Sequence, residues 1–519
     1  MAEKLIINRR YIYYSIFLVA AAAIFFVTRR LFFFDEDIFV TDSRNSFMSG
    51  EWQRSLTCQL SFKLDNFIWG KRPVGYHFTN LVLHFIDALL ATAVLKELLK
   101  QATAYLNSFQ LTVIPIVFLL LFLISPIHSE PLCYILARDA LVVSFFCLGT
   151  VLLLLRSGFK NKFLILCSLV SFTFSLFSYE ISWAMPALVL AITLFYWRIK
   201  ILSFKKAILI ALLYLAVFAS WFLLKIGYMD RFVISDYKDD EFLKIDLLTV
   251  IKNSMVLLFR NFIPPYRQLS GFLTGCGIFM TVAVIAFIRL YRINKRVFFL
   301  ALLLLLLTLL GFLAAAIIGI DSHDSESERY IYFSSCFAIM LLSVLLTGAI
   351  RNKQVLISAI FLITIYYCAV LFKTIGHYDN AGRFSKKYIA AVNEGTRGNK
   401  TVFVIDLPSQ YHGALLFRAQ SRFNANTLNS VTTLNEYMRY LYGRDSTHFV
   451  ALSSKEVTVL PQAIKIYNKP LDSLSFYYPS QKFNFTADSV TTEKMEKFPF
   501  SKPHTVIIAL KDERLFVFK

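Results

Sequence analysis

The sequence predicts an all-α polytopic membrane bundle of about eleven transmembrane helices, followed by a C-terminal extracytoplasmic α/β or α+β domain. Composition gives the first observation, because 57% of the 519 residues are hydrophobic and only 17% are charged, against about 25% in soluble domains. The second is a series of uninterrupted apolar runs, several of which approach the roughly 20 residues that cross a bilayer. In a soluble protein each run would have to be buried on every face.

The predicted spans follow the apolar runs in chain order. They lie near residues 11–28, 78–95, 111–126, 132–155, 163–178, 181–197, 207–226, 269–288, 297–320, 331–350 and 355–372. The first run has no small-residue cleavage site after it, which is typical of an uncleaved span and not of a signal peptide. Segment 247–266 contains Lys252 and Arg260 and ends in two prolines. We interpret it as an interfacial or re-entrant helix, because a span there would place the basic loop that follows outside.

Lysine and arginine predict the orientation in the membrane. The net charge of +20 fits the positive-inside rule better than nucleic-acid binding, because the basic residues gather in alternate short loops. These loops lie near residues 4–10, 96–100, 156–162, 198–206, 289–296 and 351–353. They place the N-terminus in the cytoplasm, and an odd number of spans places the C-terminal part outside. The sequence therefore predicts a protein integral to the cytoplasmic (inner) membrane with a periplasmic C-terminal domain.

The composition changes near residue 375, where mixed polar sequence replaces the apolar runs. We predict a membrane module over 1–375, with its first outer loop at 28–76, and a soluble extracytoplasmic domain over 376–519. Within that domain the patterns predict a strand at 401–407 (TVFVIDL), a helix at 432–442 and a hairpin from 504–510 and 515–519. The seven cysteines are scattered, which argues against a disulfide framework or a paired metal-ligand motif.

Ionisable residues within or beside the predicted spans converge on the outer side. Such residues are costly in a bilayer and are functional candidates by default. The second span carries four polar residues at helical spacing, on one side of the helix: His77, Asn80, His84 and Asp87. Arg138 lies roughly two turns inside the span predicted from residue 132. Others stand at the outer ends of other spans: Asp35, Glu36, Asp37, His128, Glu130, Glu180, His323, Asp324, Glu326, Glu328 and Arg329. Each alone also fits a structural role, such as interhelical hydrogen bonding, a solvated loop or snorkelling.

Their convergence suits a reaction between a lipid-phosphate donor and an extracytoplasmic acceptor. A carboxylate at that surface is suited to removing a proton from an acceptor hydroxyl. An arginine at the same level is suited to binding a phosphate and stabilising the charge of a leaving group.

Four sequence blocks on this side resemble the GT-C class of polyprenyl-phosphate-sugar-dependent glycosyltransferases. The chain is most similar to the protein O-mannosyltransferases, the transmembrane TPR-containing O-mannosyltransferases and their bacterial relatives. The blocks are FDED at 34–37, WGKRPVGYHFTNLVLH at 69–84, SPIHSEPLCYILARDAL at 125–141 and ERYIYFSS at 328–335, with a weaker match in SYEISWAMP at 178–186. Ser334 replaces a proline and Tyr179 a lysine that are common in the family, and no TPR array follows. These departures leave the acceptor more open than the reaction class.

The resemblance implies a role for each matching residue. Asp35 would be the catalytic base on the acceptor hydroxyl, with Glu36 orienting the acceptor and Asp37 as the alternative base. Arg138 and Arg329 would hold the donor phosphate. The residues implied to line the substrate site are His77, Asn80, His84, His128, Glu130, Glu180, Glu328 and Tyr332. The reaction would be a single inverting displacement at the anomeric carbon, with polyprenyl phosphate leaving.

These inferences predict a glycosyltransferase that moves a sugar or glycan from a polyprenyl-phosphate carrier to Ser/Thr hydroxyls of exported proteins. No cofactor is expected to be required and no metal ligands are assigned, although a divalent cation near residues 35–37 is compatible with the carboxylates. The C-terminal domain is expected to position acceptors or to dock a partner such as secretion machinery. No nucleic-acid partner is expected.

Three alternatives stay open at the level of sequence. In the first, the same donor serves a glycolipid or surface polysaccharide acceptor. In the second, the chain is a transporter or channel with a sensing domain, although the inverted repeats common in transporters are not visible. In the third, it is a non-catalytic membrane scaffold, which would tolerate simultaneous substitution of Arg138 and Arg329.

Overall fold

The computed structural model describes residues 2–33, 52–101, 106–228, 247–266, 268–317, 319, 325 and 327–395, together with the elements of 401–518 given below. The α-helices of this part are α1 (Ala2–Thr28), α2 (Trp52–Trp69), α3 (Pro73–Lys100), α4 (Ser108–Leu123), α5 (Ser129–Cys133), α6 (Arg138–Arg156), α7 (Lys162–Leu176), α8 (Met185–Arg198), α9 (Phe204–Tyr228), α10 (Leu247–Arg260), α11 (Leu269–Ile293), α12 (Lys295–Gly311), α13 (Tyr332–Ala349) and α14 (Lys353–Gly395). Short 3-10 helices cover Pro126–His128, Glu180–Ala184, Leu313–Ile317 and Glu328–Tyr330.

Seven of the described helices are long and apolar enough to cross a membrane, and the chain is therefore an integral membrane protein. They are α3, α6, α9, α11, α13, α14 and the combined helix Glu180–Arg198. Helix α4 and the segment Pro126–Cys133 meet at a bend of 49° and add an eighth span if they are taken together. The predicted eleven spans also require α1, α7 and α12. Because α7 has 15 residues and α12 has 17, the number eleven stays a prediction.

The chain between α4 and α6 is broken, where the sequence predicted two spans meeting near residue 130. Ser125, before Pro126, is extended, as expected for a residue that precedes proline, and Tyr134 is extended after the short α5. Helix α6 therefore begins at Arg138, and the predicted start of this span at residue 132 is wrong. Arg138 is the first residue of α6, not a residue two turns inside the span.

Helix α12 is shorter than the predicted span at 297–320, because it ends at Gly311 and a 3-10 helix follows. Its end lies against α13. A Cβ added to Gly311 would lie 3.0 Å from the Cα and Cβ atoms of Ser334, which is closer than packed side chains normally approach. Glycine at this position lets the two helices come together just beside the 3-10 helix Glu328–Tyr330.

Helix α10 occupies the segment that we interpreted as non-spanning, and its 14 residues make it only about 21 Å long. It has two distinct faces. Asn253, Leu257 and Arg260 are buried, whereas the opposite face exposes large apolar side chains: Leu247, Leu248, Ile251 and Met255. An amphipathic helix of this length is typical of an interfacial segment, although its position in the membrane stays a prediction.

The chain divides into two compact units. One contains Gly75–Ile375 with the stretches Met1–Arg29 and Phe47–Ser61, and the other contains Gly376–Lys519 with Arg30–Ser46 and Phe62–Val74. All the contacts of the candidate site given below lie within the first unit.

The second unit contains β-strands, as the C-terminal sequence pattern predicts. The strands are β1 (Thr401–Ile405), β2 (Gln410–Tyr411), β3 (Ala414–Leu415), β4 (Phe449–Leu452), β5 (Ser454–Leu460), β6 (Ala463–Asn468), β7 (Phe476–Tyr478), β8 (Gln481–Phe483), β9 (Met495–Pro499), β10 (Thr505–Lys511) and β11 (Arg514–Phe518). One sheet has the order β11-β10-β1-β4, with β1 parallel to β4 and β10. A second has the order β5-β6-β9 and is antiparallel, and β2-β3 and β7-β8 are two-stranded pairs.

Two of the three predicted elements of this unit are confirmed. The apolar run TVFVI forms β1 between two parallel partners, where continuous hydrophobic strands are expected. Strands β10 and β11 pair in antiparallel fashion and form the terminal hairpin. Of the predicted helix at 432–442, residues 437, 438, 441 and 442 are helical and the others lie outside the described residues. The α/β or α+β class of the domain stays a prediction.

Candidate functional site

The predicted catalytic carboxylates, Asp35, Glu36 and Asp37, lie outside the described residues, as do His323, Asp324 and Glu326. The divalent cation predicted near residues 35–37 therefore stays a prediction. Within the part of the chain that the structure describes, no three His, Cys, Asp or Glu side chains lie close enough to hold a metal ion. The other ten residues predicted for the site are all described.

The polar stripe of the second predicted span lies on α3, and its four members are all buried. They are His77, Asn80, His84 and Asp87. A run of buried polar groups inside an apolar bundle requires hydrogen-bond partners from neighbouring helices, because an unsatisfied polar group in such surroundings is costly. Through those partners, Asn80 belongs to one group of side chains, and His84 and Asp87 belong to a second.

Arg138 and Asn80 form the first group, at the break before α6. The Arg138 Nε donates to Asn80 Oδ1 at 2.6 Å, and its Nη2 donates to the Tyr76 carbonyl at 3.0 Å. Asn80 Nδ2 in turn donates to the Pro131 and Tyr134 carbonyls at 3.1 and 3.3 Å. Helix α5 ends at Cys133, and the Tyr134 carbonyl also accepts the backbone N–H of Ala137 at 3.2 Å. The guanidinium of Arg138 is fully enclosed, and its contacts join α3 to both sides of the break.

His84, Asp87, His128 and Tyr332, with Ser335, form a second group that we call the histidine cluster. The Tyr332 hydroxyl donates to Asp87 Oδ2 at 3.2 Å and lies 2.8 Å from His84 Nδ1. His128 Nε2 lies 2.8 Å from Ser335 Oγ, and the two imidazole rings are 5.1 Å apart. All five residues are buried. The histidine cluster therefore connects α3 and the broken segment to α13 within the interior of the bundle.

Two consecutive residues of α5 contact two consecutive residues of the 3-10 helix Glu328–Tyr330. Ser129 Oγ donates to Glu328 Oε2 at 2.7 Å. Glu130 Oε2 accepts the backbone N–H of Arg329 at 2.8 Å, and Arg329 Nη1 lies 3.4 Å from Glu130 Oε1. We call Ser129, Glu130, Glu328 and Arg329 the clamp. Its two sides are 199 residues apart in sequence, and each side contributes one carboxylate.

A second arginine lies behind the clamp. Arg260 Nη2, at the end of α10, donates to Glu328 Oε1 at 2.9 Å, and both side chains are fully buried. Burial raises the pKa of the Glu328 carboxyl to about 7, and Glu130 acts in the same direction, while Arg260 and the hydrogen bond from Ser129 act against it. This carboxyl therefore loses its proton less readily than that of a solvent-exposed glutamate.

Arg329 is the one clamp side chain that keeps substantial exposure, at 19%. Its guanidinium carbon lies 5.3 Å from the centre of the Tyr330 ring, and that ring stacks at 6.2 Å on Tyr179. Tyr179 directly precedes Glu180, which begins a 3-10 helix and is half-buried. A guanidinium with five donors beside one carboxylate and a pair of aromatic rings is suited to binding an anionic oxygen group.

The structure thus brings together several residues that the sequence singled out separately. Glu130, Glu328 and Arg329 meet in the clamp, His84, His128 and Tyr332 meet in the histidine cluster, and Asn80 meets Arg138. His77 is buried on α3 one turn before Asn80.

Sequence reasoning missed Ser129, Ser335 and above all Arg260 as members of these groups. Arg260 carried a signal, because it follows Asn253 and Leu257 at helical spacing in an otherwise apolar segment.

Comparisons with known proteins find similarity only at the level of solved structures. No family profile and no curated protein matches this chain. The crystal structure of ArnT from Cupriavidus metallidurans in the apo state has a TM-score of 0.44 and 11% identity, and covers 85% of this chain and 92% of that chain. The structure of ArnT bound to undecaprenyl phosphate has a TM-score of 0.45 and 12% identity, with coverages of 86% and 96%.

Proposed function

We propose that this protein is a glycosyltransferase that moves a sugar or glycan from a polyprenyl-phosphate carrier to an acceptor hydroxyl. The proposed site lies at the extracytoplasmic face of the cytoplasmic membrane, with the N-terminus in the cytoplasm. The proposal joins the resemblance of the sequence blocks to GT-C enzymes with the arrangement of the described residues. The clamp is the single observation that supports it most.

The clamp supports the proposal because it unites two of the blocks that carry the resemblance. Ser129 and Glu130 belong to the block at 125–141, and Glu328 and Arg329 belong to the block at 328–335. Across 199 residues of sequence, Ser129 donates to the Glu328 carboxylate, and Glu130 contacts both the backbone N–H and the guanidinium of Arg329. A partly exposed arginine at this point gives a membrane-embedded chain a cationic group that a lipid phosphate can reach.

In the proposed reaction the acceptor oxygen attacks the anomeric carbon of the donor sugar while the bond from that carbon to the phosphate oxygen breaks. Asp35 takes the proton of the acceptor hydroxyl, with Glu36 orienting the acceptor and Asp37 as the alternative base. Arg329 stabilises the negative charge that develops on the leaving polyprenyl phosphate, an effect commonly worth about 10²–10³-fold in rate for a single donor. The configuration at the anomeric carbon is inverted.

The two arginines proposed to hold the phosphate differ in what they contact. Arg329 is partly exposed beside Glu130, whereas Arg138 is enclosed by Asn80, the Tyr76 carbonyl and Ser61. We therefore propose Arg329 as the residue that contacts the donor phosphate. For Arg138 we propose a supporting contribution, through the segment that carries Glu130.

For the acceptor we propose Ser/Thr hydroxyls of exported proteins, on the basis of the resemblance to protein O-mannosyltransferases. The test is quantitative glycoproteomics of three strains that lack the chromosomal gene and carry an empty vector, the wild-type protein or Arg329→Met. We expect glycopeptides from exported proteins only with the wild-type protein. Intact protein glycosylation with loss of a glycan from lipid or polysaccharide would transfer the proposal to those acceptors, and no change in any glycan would contradict it.

For the C-terminal domain we propose a periplasmic location and a role in positioning acceptors or docking secretion machinery. Labelling of single cysteines introduced at exposed Lys71 and Arg296 with a membrane-impermeant reagent tests the topology. We expect labelling at position 71 in intact spheroplasts and labelling at position 296 only after lysis. The reverse pattern would place the proposed site in the cytoplasm and contradict the proposal.

A further inference from the structure

Helix α10 contacts the clamp through Arg260. Its guanidinium contacts Glu328 Oε1 at 2.9 Å and donates to the Ile263 carbonyl at 3.1 Å. Other hydrogen bonds also connect this part of the chain to the bundle. Asn253 donates to the Ala316 carbonyl at 3.0 Å, Ser334 donates to Asn261 at 2.8 Å, and Tyr367 donates to the Phe262 carbonyl at 3.2 Å. Of these contacts, the one made by Arg260 is with a residue of the clamp.

Arg329 directly follows Glu328 in the sequence, and its own backbone N–H donates to Glu130 Oε2. The 3-10 helix that carries both has only three residues, and it follows Ser327, whose φ of 71° is left-handed. So short a helix has little stability of its own. Each of the two Glu328 carboxylate oxygens has one of these partners, Ser129 or Arg260, and the backbone continues directly from Glu328 into Arg329.

We propose that Arg260 is a positioning residue for the transfer reaction, which by holding Glu328 orients the 3-10 helix that presents Arg329 to the donor phosphate. This inference rests on the proposed function of the clamp. Arg260 does not contact the donor itself, because its side chain is fully buried.

A buried ion pair is a poor source of stability, since the cost of removing two charges from water often exceeds their attraction. A neutral pair of similar volume is frequently as stable as the charged pair, whereas removal of one partner leaves an uncompensated buried charge. Stability and positioning therefore respond differently to single and double substitution. A variant in which both Arg260 and Glu328 are replaced therefore separates an effect on stability from an effect on positioning.

The experiment uses the full-length protein in lipid nanodiscs, with four variants: Arg260→Met, Glu328→Gln, their combination, and Ser129→Ala. For each we measure the thermal midpoint of unfolding, the donor KM and kcat of transfer, and the Kd for undecaprenyl phosphate. Asn253→Ala is the matched control, because it removes a buried hydrogen bond from the same face of α10 without touching Glu328.

We expect Arg260→Met to lower the thermal midpoint and to raise the donor KM and the phosphate Kd about tenfold, as for a displaced substrate-binding group. The double variant regains the thermal midpoint but keeps the raised KM and Kd. Ser129→Ala, the mildest change, raises both about threefold. Asn253→Ala lowers the midpoint and leaves KM and Kd at their wild-type values.

Recovery of the donor KM and Kd together with stability in the double variant would overturn the inference, because it would show that the ion pair acts only on folding. An equal rise in KM with Asn253→Ala would overturn it as well. If Arg260→Met fails to fold, the double variant and Ser129→Ala test the positioning role in its place. An unchanged Kd in Ser129→Ala would then contradict that role. Absence of transfer by the wild-type protein would contradict the proposed function, whereas the Kd values would still test Arg260.

Discussion

The histidine cluster and the clamp are both groups of polar side chains in contact with one another, but they differ in their access to the surroundings. The cluster joins His84, Asp87, His128 and Tyr332, all of them enclosed. In the clamp, Arg329 retains 19% of its side-chain surface. Enclosed polar groups in an apolar bundle find partners mainly among neighbouring helices and thereby fix the packing. A partly exposed ion pair is able to exchange its partner for a ligand, and this separates a structural group from a candidate site.

The largest expected effect is the loss of transfer activity when Arg329 is replaced. Arg329→Met should lower kcat/KM for transfer by about 10²–10³-fold, because a charged donor to the leaving phosphate is lost. The measurement is transfer by purified protein with a polyprenyl-phosphate sugar, alongside the thermal midpoint. Arg383→Met is the matched control, since it removes an ion pair with Asp379 in which the arginine is mostly exposed. Equal losses in both variants would contradict a special role for Arg329.

The next effect concerns the protonation of Glu328 in the clamp. Its pKa in the folded protein is about 7, above the usual value of 4.5, so the folded state binds this proton more tightly than the unfolded state. The resulting stabilisation is complete below about pH 4.5 and is lost as the pH rises through about 7. The thermal midpoint of the wild type relative to Glu328→Gln should therefore fall between about pH 5 and 8. A difference independent of pH would contradict the raised pKa.

A smaller effect is expected within the histidine cluster. Tyr332→Phe removes the hydroxyl that contacts both Asp87 and His84, which should lower the free energy of unfolding by about 2 kcal/mol. Because the cluster is enclosed, the donor KM should not change. The two measurements are the unfolding midpoint and the transfer kinetics of the same preparation. A raised KM with an unchanged midpoint would instead support the sequence-based prediction that Tyr332 lines the substrate site.

The smallest effect tests the backbone beside the clamp. Ser327 has a left-handed conformation, which is unfavourable for a β-branched side chain. Ser327→Val should therefore lower the free energy of unfolding by about 1 kcal/mol, while Ser327→Gly should leave it nearly unchanged. Thermal midpoints of the two variants test this expectation. Equal effects of valine and glycine would show that the turn does not need this conformation.

The helical bundle and the polar groups of α3 were predictable because their signals are local. Apolar length identifies a helix that crosses a membrane, and the spacing of His77, Asn80, His84 and Asp87 identifies one face of a helix. The same local rules gave the strand β1 and the terminal hairpin. The break before α6 had signals in Pro126 and Pro131, but apolar length outweighed them in the prediction of the span.

The contacts of the candidate site depend on pairs of residues that are far apart in sequence. Arg260 meets Glu328 across 68 residues, and Ser129 meets Glu328 across 199. No periodicity or local propensity carries this information, because it arises only when the helices pack. For the same reason the sequence assigned Arg138 and Arg329 the same role, although only packing shows that one is enclosed and the other is partly exposed.

The interruption between α4 and α6 has a consequence for the order in which the protein is made. Helix α4 has 16 residues and α5 has five, so neither alone reaches the length that a bilayer requires. The backbone carbonyls at this interruption accept hydrogen bonds from α3, with Asn80 bonded to Pro131 and Tyr134 and His84 3.4 Å from the Leu123 carbonyl. Helix α3 leaves the ribosome before the segment that needs it. Because α3 is synthesised first, it is available to accept the interrupted segment. That segment can therefore enter the bilayer in contact with α3, which supplies its hydrogen-bond partners.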